Sequence, residues 1–310
     1  MRSDNDSKRN KIDGLTLELR ELREKLFKNL NPIRNSLLES KVKTMKEQGE
    51  IPVDLSPVAF WKFDENLDCS ISDLNLKSQG KISFEQGSVV LNKSYLESPK
   101  LPFELHAKTL ETWIVLDDLK QRGGAVMTIN GPGAFDSIVL GERMPKHWIS
   151  GSNGFARTED FVGSKPEVLT GKSVHLAMTY SDNGKITLFR NGEEYGTPYE
   201  KRLAFFPAQK TSVFFGLRHP PAGEGKYLAV KIKEARLYDR ALSGVEVSKS
   251  MKGMHVTLSN DELISALTEN IRKEKSFLEE KIQDKIRAIN RAPKAVKESK
   301  LKAEAQKVYD

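Results

Sequence analysis

The sequence of 310 residues contains a single cysteine, Cys69. An intrachain disulfide is therefore impossible, which fits a reducing compartment and equally fits bacterial exported proteins built without disulfides. The sequence also lacks an apolar run long enough to cross a membrane, and its N-terminus has no apolar signal region. These absences exclude a disulfide framework and predict no membrane span, but they leave the localisation open.

Dense basic patches interleaved with aromatic residues are missing as well. The formal net charge is +7, and the excess lies at the two ends: residues 1–50 hold 12 basic against 9 acidic residues, and residues 251–310 hold 13 against 10. A mild basic excess spread over helices is typical of a solvated face. We therefore expect no nucleic-acid binding.

Both ends of the chain carry apolar residues at helical spacing. One stripe runs from Leu15 to Leu37, and Pro32 within it predicts a kink or a restart of the helix. Near the C-terminus, Ser259-Asn-Asp-Glu262 is a capping-box pattern that precedes a second stripe at 263–289, which Pro293 closes. The two stripes could bury each other as an antiparallel coiled coil, or each could dock on a neighbouring domain.

Between Val58 and Val247 the pattern changes to short strands separated by turn signals. Val174–Tyr180 and Ile186–Phe189 flank Asp182-Asn-Gly184, which is the pattern of a β-hairpin. Many such strands with no intervening helix predict a mainly β fold of two stacked antiparallel sheets. The predicted domains are an N-terminal helical arm (1–52), a β-sandwich (53–250) and a C-terminal helical arm (251–310).

Five stretches of the middle segment occur together in one order. They are Phe60-Trp-Lys-Phe-Asp64, Thr109-Leu-Glu-Thr-Trp-Ile114, His175-Leu-Ala-Met-Thr-Tyr180, Ile186-Thr-Leu-Phe-Arg-Asn-Gly192 and Ala235-Arg-Leu-Tyr-Asp-Arg-Ala-Leu-Ser243. In this order they resemble the laminin-G-like, concanavalin A-like lectin/glucanase domain. The resemblance implies a concanavalin A-like jelly-roll sandwich.

Further stretches are Gln121–Met127, Phe135–Glu142, Trp148–Asn153 and Phe215–His219. They are similar to one branch of that family, in which the domain sits inside large multidomain proteins of planctomycete-type bacteria. The resemblance implies a module of a larger, usually exported protein.

The resemblance includes glucanases, so an enzyme must be considered. Retaining glycosidases hold two carboxylates about 5–5.5 Å apart, and in the glucanase branch a Glu-x-Asp-x-x-Glu strand delivers them to one cleft. The sequence has no such run, and it suggests no Ser/His/Asp or Cys/His arrangement. His175 lies on a strand and is expected to be packed. We therefore predict that the chain is not an enzyme, with a glycoside hydrolase as the least favoured reading.

The resemblance also implies calcium as a possible cofactor, since loop carboxylates of this family hold that ion through six to eight oxygen ligands. Weak candidate ligands are Asp64, Asp68 and Asp73, which turn formation explains equally well. The family's Asp on the penultimate strand is replaced by Lys233, whose ammonium would repel the cation. No calcium ligand set is therefore assigned.

Polar and aromatic side chains concentrate among glycines from Gly141 to Arg157 and again at Arg218-His219. A sugar needs donors and acceptors for its hydroxyls and an aromatic ring for its C–H face. The candidate ligand-binding residues are Glu142, Arg143, His147, Trp148, Asn153, Arg157, Arg218 and His219. The alternative is structural: Trp148 lies in the core, and Glu142, Arg143 and Arg218 form a buried salt-bridged network.

Two functions stay open at this point. The first is a carbohydrate-binding module that takes a glycan or other polysaccharide. The second is a structural spacer or protein-interaction module whose helical arms dock neighbouring domains or a protein partner. A solvent-open groove lined by Trp148, Arg143 and Arg218 would favour the first, and burial with mutual pairing of these residues would favour the second.

Overall fold

The computed structural model describes residues 2–256, 258 and 260–291. The chain divides into two compact units, residues 1–41 with 260–310 and residues 42–259. The helices within the described residues are α1 (Arg2–Glu47), a 3₁₀ turn (Asn153–Phe155), α2 (Gly244–Lys252), α3 (Asn260–Ala266) and α4 (Glu269–Arg291).

The strands all belong to the second unit. In chain order they are β1 (Pro52–Val53), β2 (Ala59–Lys62), β3 (Lys77–Gln79), β4 (Ile82–Phe84), β5 (Val89–Leu91), β6 (Tyr95–Glu97), β7 (Lys108–Val115), β8 (Gly124–Gly131), β9 (Ala134–Leu140), β10 (Trp148–Ser152), β11 (Ser173–Tyr180), β12 (Lys185–Arg190), β13 (Glu193–Glu194), β14 (Tyr199–Glu200), β15 (Ser212–Phe215), β16 (Val230–Tyr238) and β17 (Met254–His255).

Two antiparallel sheets form the sandwich. The six-stranded sheet has the order β10-β9-β8-β15-β6-β3, and the nine-stranded sheet has the order β13-β12-β11-β7-β16-β5-β4, with β14 beside β12 and β2 beside β16. The short parallel pair β1–β17 lies outside both sheets. The predicted mainly β, two-sheet antiparallel sandwich is confirmed.

The sandwich forms because successive residues of a strand project to opposite faces of the sheet. On β7, Leu110 and Ile114 belong to the hydrophobic cluster between the sheets, together with Met127 of β8. Thr109 and Glu111 bond instead to the segment that follows β16 and to α2. Both faces of β7 are therefore covered.

Glu111 is the centre of a buried polar network beneath α2. Its Oε1 lies 2.9 Å from His175 Nε2, and its Oε2 accepts hydrogen bonds from Tyr238 at 2.8 Å and from Ser250 of α2 at 2.9 Å. The Arg236 guanidinium is 3.4 Å from the same oxygen. The helix is thus fixed to the sheet by a carboxylate that has partners on both oxygens. His175 is packed, as predicted.

Helix α2 departs from the prediction that no helix interrupts residues 58–247. It begins at Gly244, directly after a capping box in which Ser243 Oγ accepts from the Glu246 amide and the Glu246 carboxylate accepts from the Ser243 amide. Val247 of α2 then packs in a second apolar cluster with Phe189 and Tyr238. The helix forms because its start is capped and one side is buried.

In the first unit, α1 continues through Pro32, so the predicted restart is wrong. The half-buried stripe continues on both sides of the proline, at Leu30 and Ile33, and we attribute the continuity to this packing. Ser259 and Pro293, the predicted cap and end of the last helical segment, lie outside the described residues.

Ion pairs join α1 to the C-terminal helices within the same unit. Lys25 lies 3.0 Å from Glu274, Lys41 lies 2.6 Å from Glu262, and Glu18 pairs with Lys285. The partner numbers fall as the α1 numbers rise, which is the order of antiparallel helices. Coiled-coil packing and the domain boundaries after residues 52 and 250 stay predictions. No helix among the described residues has the length and apolarity that crossing a membrane requires.

The Glu111 network makes a stability prediction. Burial alone would raise the pKa of Glu111, but the bond from His175 and the charge of Arg236 lower it from 4.5 to about 2. A carboxylate with a depressed folded-state pKa stabilises the fold above its unfolded-state pKa, and this contribution is lost as the pH falls from about 4.5 towards 2.

We expect Glu111→Gln to lower the free energy of unfolding at pH 7 by about 1.5–3 kcal/mol, because the charge-assisted contacts to this carboxylate are lost while Arg236 keeps Glu234 as its counter-charge. The variant should also lose part of the wild-type acid sensitivity between pH 4.5 and 2. Urea unfolding at several pH values measures both effects. Equal acid sensitivity of the two proteins would contradict this account.

Candidate functional site

A buried ion triad connects the two sheets. Lys108 of β7 and Asp136 of β9 have no exposed surface, and the Lys108 ammonium lies 2.8 Å from Asp136 Oδ2. Arg157 Nε donates to the other carboxylate oxygen at 2.9 Å. The ammonium also lies over the ring of Tyr180, 4.2 Å from its centroid. The charges are thus buried together, with the carboxylate between two cations.

Arg157 extends this triad to the 3₁₀ turn at the end of β10. Its Nη2 donates to the Phe135 carbonyl at 2.9 Å and to Asn153 Oδ1 at 3.2 Å. Asn153 Nδ2 in turn donates at 3.0 Å to the carbonyl of Gly133, in the tight β8–β9 turn. Arg157 therefore links the 3₁₀ turn to the β8–β9 turn. It is 8% exposed.

These two loops, with the segment after β15, enclose a groove of about 570 Å³. Four of the eight predicted binding residues line it, which are Glu142, Asn153, Arg218 and His219. The groove also has lining residues that sequence reasoning did not single out, including Asn130, Phe135 and Phe155. Half of the predicted residues therefore lie at one groove, together with side chains that the prediction did not include.

Glu142 and Arg218 form an ion pair at the groove wall, with 19% and 16% of their side chains exposed. A second pair lies nearby, since Arg143 Nε is 3.0 Å from Asp160 Oδ1. The alternative prediction was one buried network of Glu142, Arg143 and Arg218. The contacts do not form such a network. They are two separate pairs, and both reach solvent.

His219 stacks on Phe135 inside the groove, with ring centroids 4.5 Å apart. Its Nδ1 lies 3.0 Å from the Pro220 carbonyl oxygen, so Nδ1 carries the hydrogen and Nε2 of the neutral ring is an acceptor. Burial lowers the pKa of His219, and the charges of Lys226 and Arg218 act in the same direction. The ring is therefore neutral at pH 7.

Phe155 is the exposed aromatic ring of the groove. It is 43% exposed, and the Arg143 guanidinium lies 5.7 Å from its ring centroid. Its φ of 55° is left-handed, a conformation that is rare for a bulky residue. The preceding Gly154 is also left-handed, with a φ of 57°. This short turn therefore presents a phenyl ring to solvent from a strained backbone.

Trp148 does not belong to this surface, and its predicted stacking role is wrong. It has no exposed area, and its ring nitrogen donates to Glu167 at 3.3 Å. Arg190 binds the same carboxylate through two hydrogen bonds of 2.7 and 2.8 Å. Burial alone would raise the pKa of Glu167, but the hydrogen bonds from Arg190, the Leu169 amide and Trp148, with the charge of Arg190, together lower it. Trp148 is a core residue.

Other predicted residues lie elsewhere. His147 is half-buried next to Trp148, with Nδ1 3.0 Å from the Pro145 carbonyl, and it does not line the groove. Asp64, Asp68 and Asp73 are exposed. Among the described residues no group of three or more His, Cys, Asp or Glu side chains could hold a metal ion. The calcium ligands stay a prediction without a described cluster.

The family model of the concanavalin A-like lectin/glucanases superfamily matches residues 91–248, just over half of the chain. The chain belongs to this superfamily. The match includes the groove, the buried triad and most of both sheets. No curated protein sequence matches the chain.

Solved structures of the same fold include domain 4 of AbnA, a GH43 extracellular arabinanase of Geobacillus stearothermophilus, in complex with arabinotriose. This superfamily member is 21% identical to it, with a TM-score of 0.52, over 63% of this chain and 98% of that one. The sialidase of Trypanosoma rangeli is 17% identical, with a TM-score of 0.49, over 70% of this chain and 39% of the sialidase. At 21% identity the likeness to the AbnA domain shows the fold alone.

Two other depressions lie on the sandwich unit of this lectin-like protein. One, of about 700 Å³, is lined by residues 51–55 and by α2, and it exposes Ile51 and Val245. The other, of about 490 Å³, is lined by His106, Asp182 and an exposed Phe205. Neither contains a residue predicted to bind ligand.

The burial of Trp148 gives a stability prediction. Trp148→Ala should lower the free energy of unfolding by about 3–5 kcal/mol, because the cavity left in the core cannot be refilled. Val168→Ala, at a position 72% exposed, is the control and should change stability by less than about 0.5 kcal/mol. Urea unfolding followed by circular dichroism compares them. Equal stabilities would show that Trp148 is not in the core.

The ion triad gives a second prediction, which ranks two substitutions by how much each destabilises the fold. Asp136→Asn leaves two buried cations facing each other and should cost about 3–5 kcal/mol of unfolding free energy. Lys108→Met keeps an aliphatic chain in the core, while Asp136 retains Arg157, so it should cost less. Urea unfolding of both variants measures the difference. The reverse order would mean that the carboxylate is not the centre of the triad.

Proposed function

We propose that this protein is a non-catalytic carbohydrate-binding module and that a segment of polysaccharide lies in the groove beside Phe155. The observation that carries the proposal is the solvent-exposed ring of Phe155 next to polar side chains that line an open groove. A sugar stacks its C–H face on an aromatic ring and directs its hydroxyls to such groups. Phe155 thus takes the role that sequence reasoning gave to Trp148.

The backbone of Phe155 supports a functional role. A bulky residue in a left-handed conformation costs about 1–2 kcal/mol, and such strain is often found at ligand-binding positions. An asparagine or glycine would fit this position at lower cost. The ring is not required by the core, since 43% of it is exposed. A contact with a ligand would account for a phenylalanine at this position.

Binding without cleavage is supported by the acids of the groove. Among the described residues that line it, Glu142 is the one with a carboxylate, and it is paired with Arg218. Both retaining and inverting glycosidases generally use two carboxyl groups that flank the scissile bond. A single carboxylate that is ion-paired with an arginine is better suited to accept a hydrogen bond from a sugar hydroxyl than to act as a catalytic acid or base.

The family gives the context of the proposal. The AbnA domain with the same fold was solved with arabinotriose, so arabinan is a reasonable probe for the groove. We further propose that the chain is a module of a larger protein of the planctomycete-type bacterial branch, on the motifs from Gln121 to His219. In that setting the helical segments would dock neighbouring domains while the sandwich holds a polysaccharide.

The test is Phe155→Gly in the whole chain. We expect it to reduce the affinity for the bound polysaccharide at least about fivefold, because one aromatic stacking contact is worth about 1 kcal/mol. It should leave stability unchanged or higher, since glycine relieves the left-handed strain. Affinity electrophoresis and calorimetry against arabinan, xylan, β-glucan, mannan and pullulan measure binding, and thermal unfolding measures stability.

Phe205→Ala is the matched control, because Phe205 is 54% exposed in a different depression. Loss of binding in Phe205→Ala with retention in Phe155→Gly would move the site away from the groove. If the wild type binds none of the polysaccharides, the carbohydrate proposal fails. The structural or protein-interaction role would then be favoured, and the depression with Ile51 and Val245 would be the first surface to examine.

A further inference from the structure

We infer that the groove selects a neutral, hydroxyl-rich polysaccharide and disfavours uronate, sialylated and sulfated chains. This inference rests on the proposed carbohydrate function, and it names the ligand class of the same groove. It is not suggested by composition, because a protein with a net charge of +7 would be expected to attract polyanions.

The cation that could hold an anionic sugar is already occupied. Among the described lining residues, Arg218 is the one with a permanent positive charge, and it is paired with Glu142 at the groove wall. A ligand carboxylate or sulfate would have to displace Glu142, which would then stand unpaired and partly buried beside a second anion. Displacing an existing ion partner at a partly desolvated site is unfavourable.

Two side chains that line the groove offer acceptor atoms. Glu142 uses Oε1 for Arg218, and no described residue bonds to its Oε2. His219 has its hydrogen on Nδ1, so Nε2 offers a lone pair. Sugar hydroxyls donate hydrogen bonds to such atoms, whereas carboxylate and sulfate oxygens only accept. The groove therefore complements hydroxyls and not anionic groups.

Of the cations near the groove, Lys226 donates to the Pro221 carbonyl at 2.8 Å, whereas Arg143 and Arg157 have anionic partners. Arg143 borders the groove through Phe155, but its Nε is bound to Asp160 at 3.0 Å. Arg157 lies beneath the 3₁₀ turn and is committed to Asp136 and to the Phe135 carbonyl. Arg218, Arg143 and Arg157 thus each already have a carboxylate of the protein as partner.

The experiment compares neutral and anionic polysaccharides in the whole chain. The neutral set is arabinan, xylan, β-glucan, mannan and pullulan, and the anionic set is polygalacturonate, alginate, polysialic acid and heparin. Only the part of the binding that Phe155→Gly removes is counted, because the basic helical segments could bind polyanions nonspecifically. We expect Phe155-dependent binding of at least one neutral polymer, at least about tenfold tighter than any anionic one.

Glu142→Gln tests the cause. Removing this carboxylate frees Arg218, so Phe155-dependent affinity for an anionic polymer should rise at least about tenfold, both in itself and relative to the affinity for a neutral polymer. Glu194→Gln, at an exposed position of β13, is the matched control and should change neither. Circular dichroism checks that each variant is folded.

The outcomes separate this inference from the proposed function. Phe155-dependent binding of an anionic polymer with equal or higher affinity would overturn the neutral preference but keep the carbohydrate site. An unchanged anionic affinity in folded Glu142→Gln would also overturn it, because the ion pair would not be its cause. Absence of all Phe155-dependent binding would overturn both proposals together.

Discussion

The carboxylate of Asp136, buried between two cations, is the contact on which both the sandwich and its groove depend. It joins Lys108 of the nine-stranded sheet to its own strand in the six-stranded sheet, and it anchors Arg157 beneath the 3₁₀ turn. Buried charges are tolerated only where their partners are fixed. The position of the groove wall is therefore determined by the same residues that set the contact between the sheets.

Much of the fold could be predicted from the sequence, because most strands alternate and end at turn residues. The Val174–Phe189 hairpin is of this kind. Strand β10 is not evident from the sequence because its small residues Ser150, Gly151 and Ser152 give no apolar alternation and are typical of turns. Without that strand Trp148 was placed in a binding loop. Small residues on both faces of a buried strand remove the period-two signal that identifies it.

The side-chain partners could not be predicted from the sequence, since they are distant along the chain. Glu111 is 64 residues from His175 and 139 from Ser250. Arg157 was noticed beside aromatic residues and assigned to a ligand, while its actual partner Asp136 is 21 residues earlier. A charged residue in a polar segment looks the same in sequence whether it binds a ligand or a buried counter-ion. Strand register alone decides between these roles.

Most charged side chains around the groove are paired with another charged side chain of the protein. A fold that buries ion pairs such as Lys108–Asp136 in its core places further pairs, Glu142–Arg218 and Arg143–Asp160, along the loops that border the groove. Charges that are satisfied within the protein hold loops in place but contribute little to attracting a ligand. In the proposed binding site, recognition would then depend on the exposed ring of Phe155 and on the acceptors beside it. The proposed preference for neutral polysaccharides therefore follows from which charged side chains are already paired within the protein.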